Sequence, residues 1–174
     1  LDNNAGIGEA SSVTDQNLDK VETMLHLNIE SLTILSTLFV RDYSQVEGTQ
    51  LINVSSTIGY AIAMSSITYS ASKYFVSAFT EGLAKELEQK SAKMKVKVLA
   101  PAVTKTEFMK HAMDGKEFDY KANLPMHHTA KQMAGFMLEL YDSNKVVGIV
   151  SEKYEFQLRD QIYPILDFRE IQKD

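Results

Sequence analysis

Tyr69 and Lys73 stand four residues apart in the run Tyr-Ser-Ala-Ser-Lys. On a helix that spacing puts both side chains on one face, with their Cβ atoms about 6 Å apart. A phenol with an ordinary pKa of about 10 is a poor base at neutral pH, but a fixed ammonium beside it favours the phenolate and brings proton exchange within reach. The same spacing also describes an ordinary surface pair on a helix, so the chemistry depends on what surrounds it.

Ser56 lies 13 residues before Tyr69, just past an aliphatic run at 50–54. A hydroxyl at the carboxyl end of a strand is placed where open α/β sheets bind ligands, and it could hold a carbonyl oxygen beside the phenol. The Ser-Ser-Thr cluster equally suits a turn. Asn28 is a polar residue inside a helical pattern, able to bond to backbone or water, or simply to face solvent. Asn3-Asn4-Ala5-Gly6 closes a possible strand stub. Its small residues would let a cofactor approach the backbone, and they also read as a turn.

The elements that must position these groups follow from periodicity. Leu18, Val21, Leu25, Leu32, Leu35 and Phe39 recur at helical spacing and predict a helix over 18–39, capped from Ser12, Thr14 or Asp15. A strand is expected at 50–54. Tyr74, Phe75, Ala78, Phe79, Leu83 and Leu87 predict a second long helix over 66–89, with Glu81, Lys85, Glu86 and Glu88 on other faces. Met94 to Leu99 reads as a strand stopped by Pro101. Thr129 is the expected cap of a helix over 129–142 that carries Met133, Phe136, Met137 and Leu140, and 145–150 reads as a further strand. Strands separated by crossover helices imply a parallel sheet covered by helices, in a single domain without repeats or linkers.

Composition excludes several classes. With 174 residues, 44% of them hydrophobic, the chain is long enough to bury a core. A net charge of -5 without a basic run argues against nucleic acid as a partner. There is no cysteine, so disulfides, thiolate nucleophiles and Cys-ligated metals are ruled out. No uninterrupted apolar run approaches the roughly 20 residues of a membrane span, and no basic-then-apolar leader opens the sequence. A soluble, cytoplasmic protein without a membrane partner is expected. His127-His128 has no further ligand at hand, and no metal is expected.

Taken in order, Asn3 to Gly6, Asn28, Ser56, Tyr69 with Lys73, and Pro101 resemble the short-chain dehydrogenase/reductase family, from Leu1 to about Phe108. The resemblance implies a Rossmann-like, doubly wound α/β fold and a hydride transfer between a nicotinamide, NAD or NADP, and a small-molecule carbonyl or secondary alcohol. Tyr69 would be the acid/base, Ser56 would orient the substrate oxygen, and Lys73 would lower the tyrosine pKa and bond the nicotinamide ribose. Asn28 would hold a proton-relay water. Asn3, Ala5 and Gly6 would line the adenosine side of the cofactor, and Pro101, Thr104 and Thr106 the nicotinamide side. The segment at about 108–128, with Met109, Met113, Phe118 and Tyr120, would be the substrate lid. The two long helices would pair copies into a dimer or tetramer.

The family's glycine-rich phosphate loop, its first strand and the residue that selects NAD or NADP would precede Asn3. Gly6-Ile7-Gly8 lacks the third glycine and does not replace that loop. Pro101-Ala102 stands where the family has Pro-Gly. The expectation is therefore a partial chain, without the first half of the sheet and inactive by itself. The alternative is a non-catalytic truncated homologue that acts as an interaction module through its long helices.

Overall fold

The computed structural model describes residues 1–112 and 126–166. In chain order the elements are β1 (Asp2–Asn3), α1 (Leu18–Leu25), a π-helical turn (His26–Ser31), α2 (Leu32–Tyr43), β2 (Gln50–Val54), α3 (Ile67–Gln89), β3 (Lys95–Ala100), β4 (Thr104–Lys105), α4 (Phe108–Ala112), β5 (His128–Thr129), α5 (Ala130–Asp142), β6 (Val147–Val150) and β7 (Phe156–Arg159). The main sheet has the order β1-β2-β3-β6-β7. Its first four strands are parallel, and β7 pairs antiparallel with β6. This antiparallel edge strand was not expected. β4 and β5 form a separate short parallel pair.

Successive strand residues point to opposite faces, and both faces of this sheet are covered. Leu51 and Val96 pack with Leu87 of α3 and with Phe39 and Val40 of α2. Ile52 and Leu99 turn the other way, onto Met133 and Leu140 of α5. That is the doubly wound, Rossmann-like arrangement. The α5 stripe is the expected one, and Thr129 caps it in a capping box with Gln132.

Lys97 belongs to the same face as Leu99 and is 2% exposed. Its Nζ donates to the carbonyls of Leu140, Tyr141 and Ser143, each at 2.7 Å. The ammonium thereby adds a charged donor at the negative end of α5. Burial brings its pKa down to about 8.

The two long helices turn inward only part of the faces expected, Leu32 with Phe39 and Leu83 with Leu87. In the first, Asn17 rather than an earlier residue is the cap, accepting from Lys20 N at 3.2 Å. Its buried positions are Met24, Asn28, Leu32 and Ser36, while Leu18, Leu25 and Leu35 stay exposed. These buried positions recur every four residues, which in an ideal α-helix rotates the stripe by about 40° per step. The wider π turn at His26–Ser31 takes up part of that rotation and keeps the stripe on the sheet.

In α3 the buried face is Ser70, Ser72, Lys73, Val76, Ser77, Thr80, Glu81 and Leu87, with Phe75 exposed. Small polar residues let the helix lie close to the β2 end of the sheet. A Cβ on Gly59 would come within 2.7 Å of Ser55 Oγ, Ser77 Oγ and the Lys73 carbonyl, so glycine is required there.

By length and composition the Leu18–Tyr43 helix could also cross a membrane, with a mean hydropathy of 1.3 over its most apolar stretch. Two of its polar residues are nevertheless bonded into the domain. Asn28 bonds Ser72, and Ser36 accepts from Asn3.

Candidate active site

The carboxyl end of β2 is the meeting point. The Lys73 side chain, 6% exposed, reaches back along α3 and donates from Nζ to the Val54 carbonyl at 3.0 Å. Tyr69, one turn earlier, has its ring centroid 5.8 Å from that Nζ. Phe108, the first residue of α4, lies across the phenol with ring centroids 5.6 Å apart.

Burial decides the electrostatics. It pushes the Tyr69 phenol well above its ordinary value and brings Lys73 down to about 8. The direction is opposite to the lowering expected from the lysine, because taking a phenolate out of water is costly.

Asn28 faces this pair from the π turn and is 1% exposed. Its Oδ1 accepts from Ile7 N at 3.0 Å. Its Nδ2 donates to Ile7 O at 2.9 Å and to Ser72 Oγ at 3.2 Å. The amide therefore clamps the loop after Gly6 to α3. Gly6 itself lies against both groups: a Cβ there would stand 3.4 Å from Lys73 Nζ.

Ser56 is half-buried and caps a short 3-10 turn, Thr57–Gly59. Its Oγ donates to the Pro101 carbonyl at 3.3 Å, and Thr57 N donates to the same oxygen at 2.9 Å. The structure thus joins Ser56 to Pro101, as it joins Gly6, Asn28 and Lys73.

The remaining candidates divide. Ala5 and Thr106 are exposed. Thr104 is half-buried, with Oγ1 donating to Ala102 O. Asn3 is buried, its amide donating to Ser36 Oγ at 3.1 Å and Asn53 Oδ1 at 2.9 Å. It ties β1 to β2 and α2.

His128 is buried among aromatic rings, Phe136 edge-on at 5.2 Å and Tyr154 stacked at 5.8 Å. Of the expected lid, Met113, Phe118 and Tyr120 lie outside the described residues. Sequence reasoning missed Ser55, whose Oγ donates to the Lys73 carbonyl at 2.9 Å and bonds Ser77 Oγ at 2.7 Å. The run of serines through α3 was the signal for a close helix approach.

Comparison with known proteins places the arrangement. Residues 1–117 match the family model described as short chain dehydrogenase. The chain belongs to that family. It is 30% identical over 152 residues to the 3-oxoacyl-[acyl-carrier-protein] reductase of Rattus norvegicus, covering 86% of this chain and 62% of the relative. Among solved structures it resembles a short-chain dehydrogenase from Sphingobium yanoikuyae in complex with NADPH, at 27% identity and TM-score 0.76, covering 86% of this chain and 56% of the other. A bulky-bulky ketone specific alcohol dehydrogenase from Comamonas testosteroni matches at 25% identity and TM-score 0.70, with 86% and 53% covered. The chain therefore spans less than two thirds of the length of these relatives.

Proposed function

We propose that the chain carries the proton-handling part of an oxidoreductase that interconverts a carbonyl and a secondary alcohol with NAD or NADP. The observation that carries this reading is the convergence of Tyr69, Lys73, Asn28 and Gly6 at the carboxyl end of β2. The side chain that Gly6 lacks would fill the space beside Lys73 Nζ, which fits a cofactor ribose approaching the backbone there.

When bound, the nicotinamide supplies the hydride. Tyr69 delivers the proton to the substrate oxygen. A phenol whose pKa is raised by burial keeps its proton at neutral pH, which suits carbonyl reduction. Ser56 orients that oxygen. Lys73, still mostly protonated at pH 7 with a pKa of about 8, holds the ribose and favours the phenolate once the proton has left. Asn28 fixes the Gly6 loop against Lys73 and holds the relay water.

The rat and human relatives named as 3-oxoacyl-[acyl-carrier-protein] reductases make a 3-oxoacyl thioester the first substrate class to assay. The assay takes protein expressed from the complete reading frame, with acetoacetyl-coenzyme A and either NADPH or NADH. Tyr69→Phe is expected to lose about 10²- to 10⁴-fold in turnover while nucleotide binding, followed by fluorescence, persists. Unchanged turnover would remove Tyr69 from the chemistry.

A second reading, a non-catalytic module that associates through its helices, is favoured by the half-exposed Ile34, Leu35 and Leu38 of α2 and by Phe75 of α3. Self-association through these faces is compatible with both readings. Failure to bind either nucleotide would select the second.

A further inference from the structure

We propose that Glu81 and Tyr163 are positioning residues for Ser56, and that the segment 161–163 is the outer jaw of a clamp on the turn that Ser56 opens. The proposal rests on the reading above only in giving Ser56 a role at the substrate oxygen.

Glu81 sits two turns beyond Lys73 on α3 and is fully buried. A carboxylate in that position is costly unless several donors satisfy it. Here the donors come from two distant places. Tyr60 OH donates to Oε1 at 2.6 Å. Ile162 N and Tyr163 N donate to Oε2 at 2.6 and 3.0 Å. Gln161 Nε2 adds a bond to the Glu81 carbonyl at 3.1 Å.

One side chain thus holds both the last residue of the Ser56 turn and a segment some 80 residues further along the chain. The two held pieces also grip each other. The Tyr163 hydroxyl donates to the Gly59 carbonyl at 2.5 Å, and the Tyr60 and Tyr163 rings stack at 5.3 Å.

The turn has no freedom inward, because Gly59 already lies against Ser55, Ser77 and the Lys73 carbonyl. Outward movement is what Tyr163 and Glu81 prevent. Ser56 is fixed at the head of this turn, with Gly59 N donating to its carbonyl at 2.8 Å. Its hydroxyl points to the Pro101 carbonyl, and the turn that carries it is held from outside only when the segment 161–163 is in place.

The test is amide hydrogen exchange on peptides covering 55–62, in protein from the complete reading frame, for Tyr163→Phe and Glu81→Gln. Tyr163→Phe keeps the ring stack and removes one hydrogen bond, so the turn is expected to exchange about tenfold faster while the central strands do not change. In the reductase assay the same variant should lower kcat with the KM for whichever nucleotide the parent uses unchanged, a split that general loss of folded protein does not produce.

Equal exchange at 55–62 in Tyr163→Phe and the parent overturns the clamp. If Glu81→Gln fails to fold, Tyr163→Phe alone decides. A parent protein without reductase activity overturns the oxidoreductase reading, and the exchange result still decides the clamp.

Discussion

Gly6 and Asn28 are packed so closely that a Cβ on the glycine would stand 3.2 Å from the amide Oδ1. That oxygen already accepts from Ile7 N, so it cannot retreat without giving up a hydrogen bond. Gly6→Ala is expected to destabilise the protein by about 1–3 kcal/mol, the usual cost of overpacking. Nucleotide affinity should fall as well. Urea unfolding and a fluorescence titration on the same preparation measure the two effects.

Gly59→Ala is expected to be worse, since its Cβ would meet the Lys73 backbone carbonyl at 2.7 Å and not only mobile side chains. The added methyl has to push α3 away from the sheet. A loss of about 3 kcal/mol or more in urea, with faster exchange in the Ser56 turn, is the expected result. A variant as stable as the parent would show that the turn is not seated as described.

Replacing Lys97 by methionine keeps much of the apolar stem and deletes the ammonium. Three carbonyls at the end of α5 then lose the ammonium, although Leu140 O keeps Ser143 N and Oγ, and Tyr141 O keeps Gln50 Nε2. The expected cost is about 2 kcal/mol or more, with fraying confined to the last turn of α5 and visible by hydrogen exchange.

The buried lysines also set a pH dependence. Lys73 and Lys97 have native pKa values lowered to about 8, so above that pH the native state sheds protons that the unfolded chain keeps until about pH 10.4. Stability from these groups is therefore lost as pH falls through 8 and gained as pH rises toward 10, at up to about 1.4 kcal/mol per pH unit for each group. The tyrosines act oppositely. Tyr60 and Tyr69 are raised by burial, so their contribution declines once the unfolded phenols ionise above about pH 10. Urea midpoints from pH 7.5 to 10 should rise, and Lys73→Met should flatten the rise.

Much of this was legible in the sequence. The 50–54 strand, the α5 stripe with its Thr129 cap, and the grouping of Tyr69 with Lys73 all follow from local spacing, and the structure places them as read. The failures share a cause. Glu81 reads as a solvated charge on an amphipathic helix, and only donors from Tyr60 and from 161–163 make its burial possible. Lys97 alternates like an exposed strand residue until α5 ends above it. Phe156-Gln-Leu-Arg is too short to announce β7, which exists because β6 offers an edge. The faces of the two long helices were read only in part: Leu32, Phe39, Leu83 and Leu87 do pack inward, but the other buried positions are largely amide, hydroxyl and carboxylate, which a hydrophobic pattern does not register.

The π turn at His26–Ser31 has a consequence for the chain as a line of text. It accommodates one residue more than the regular helix needs, and Asn28 sits inside it. Deleting a single residue there would leave an unbroken α-helix with the turns on either side in nearly their present phase, so that Met24 and Leu32 would still face the sheet. What would go is the bulge itself, and with it the aim of the amide that grips Ile7. A one-residue gap at this point in a related sequence therefore marks a chain that keeps the helix and gives up the Asn28 clamp.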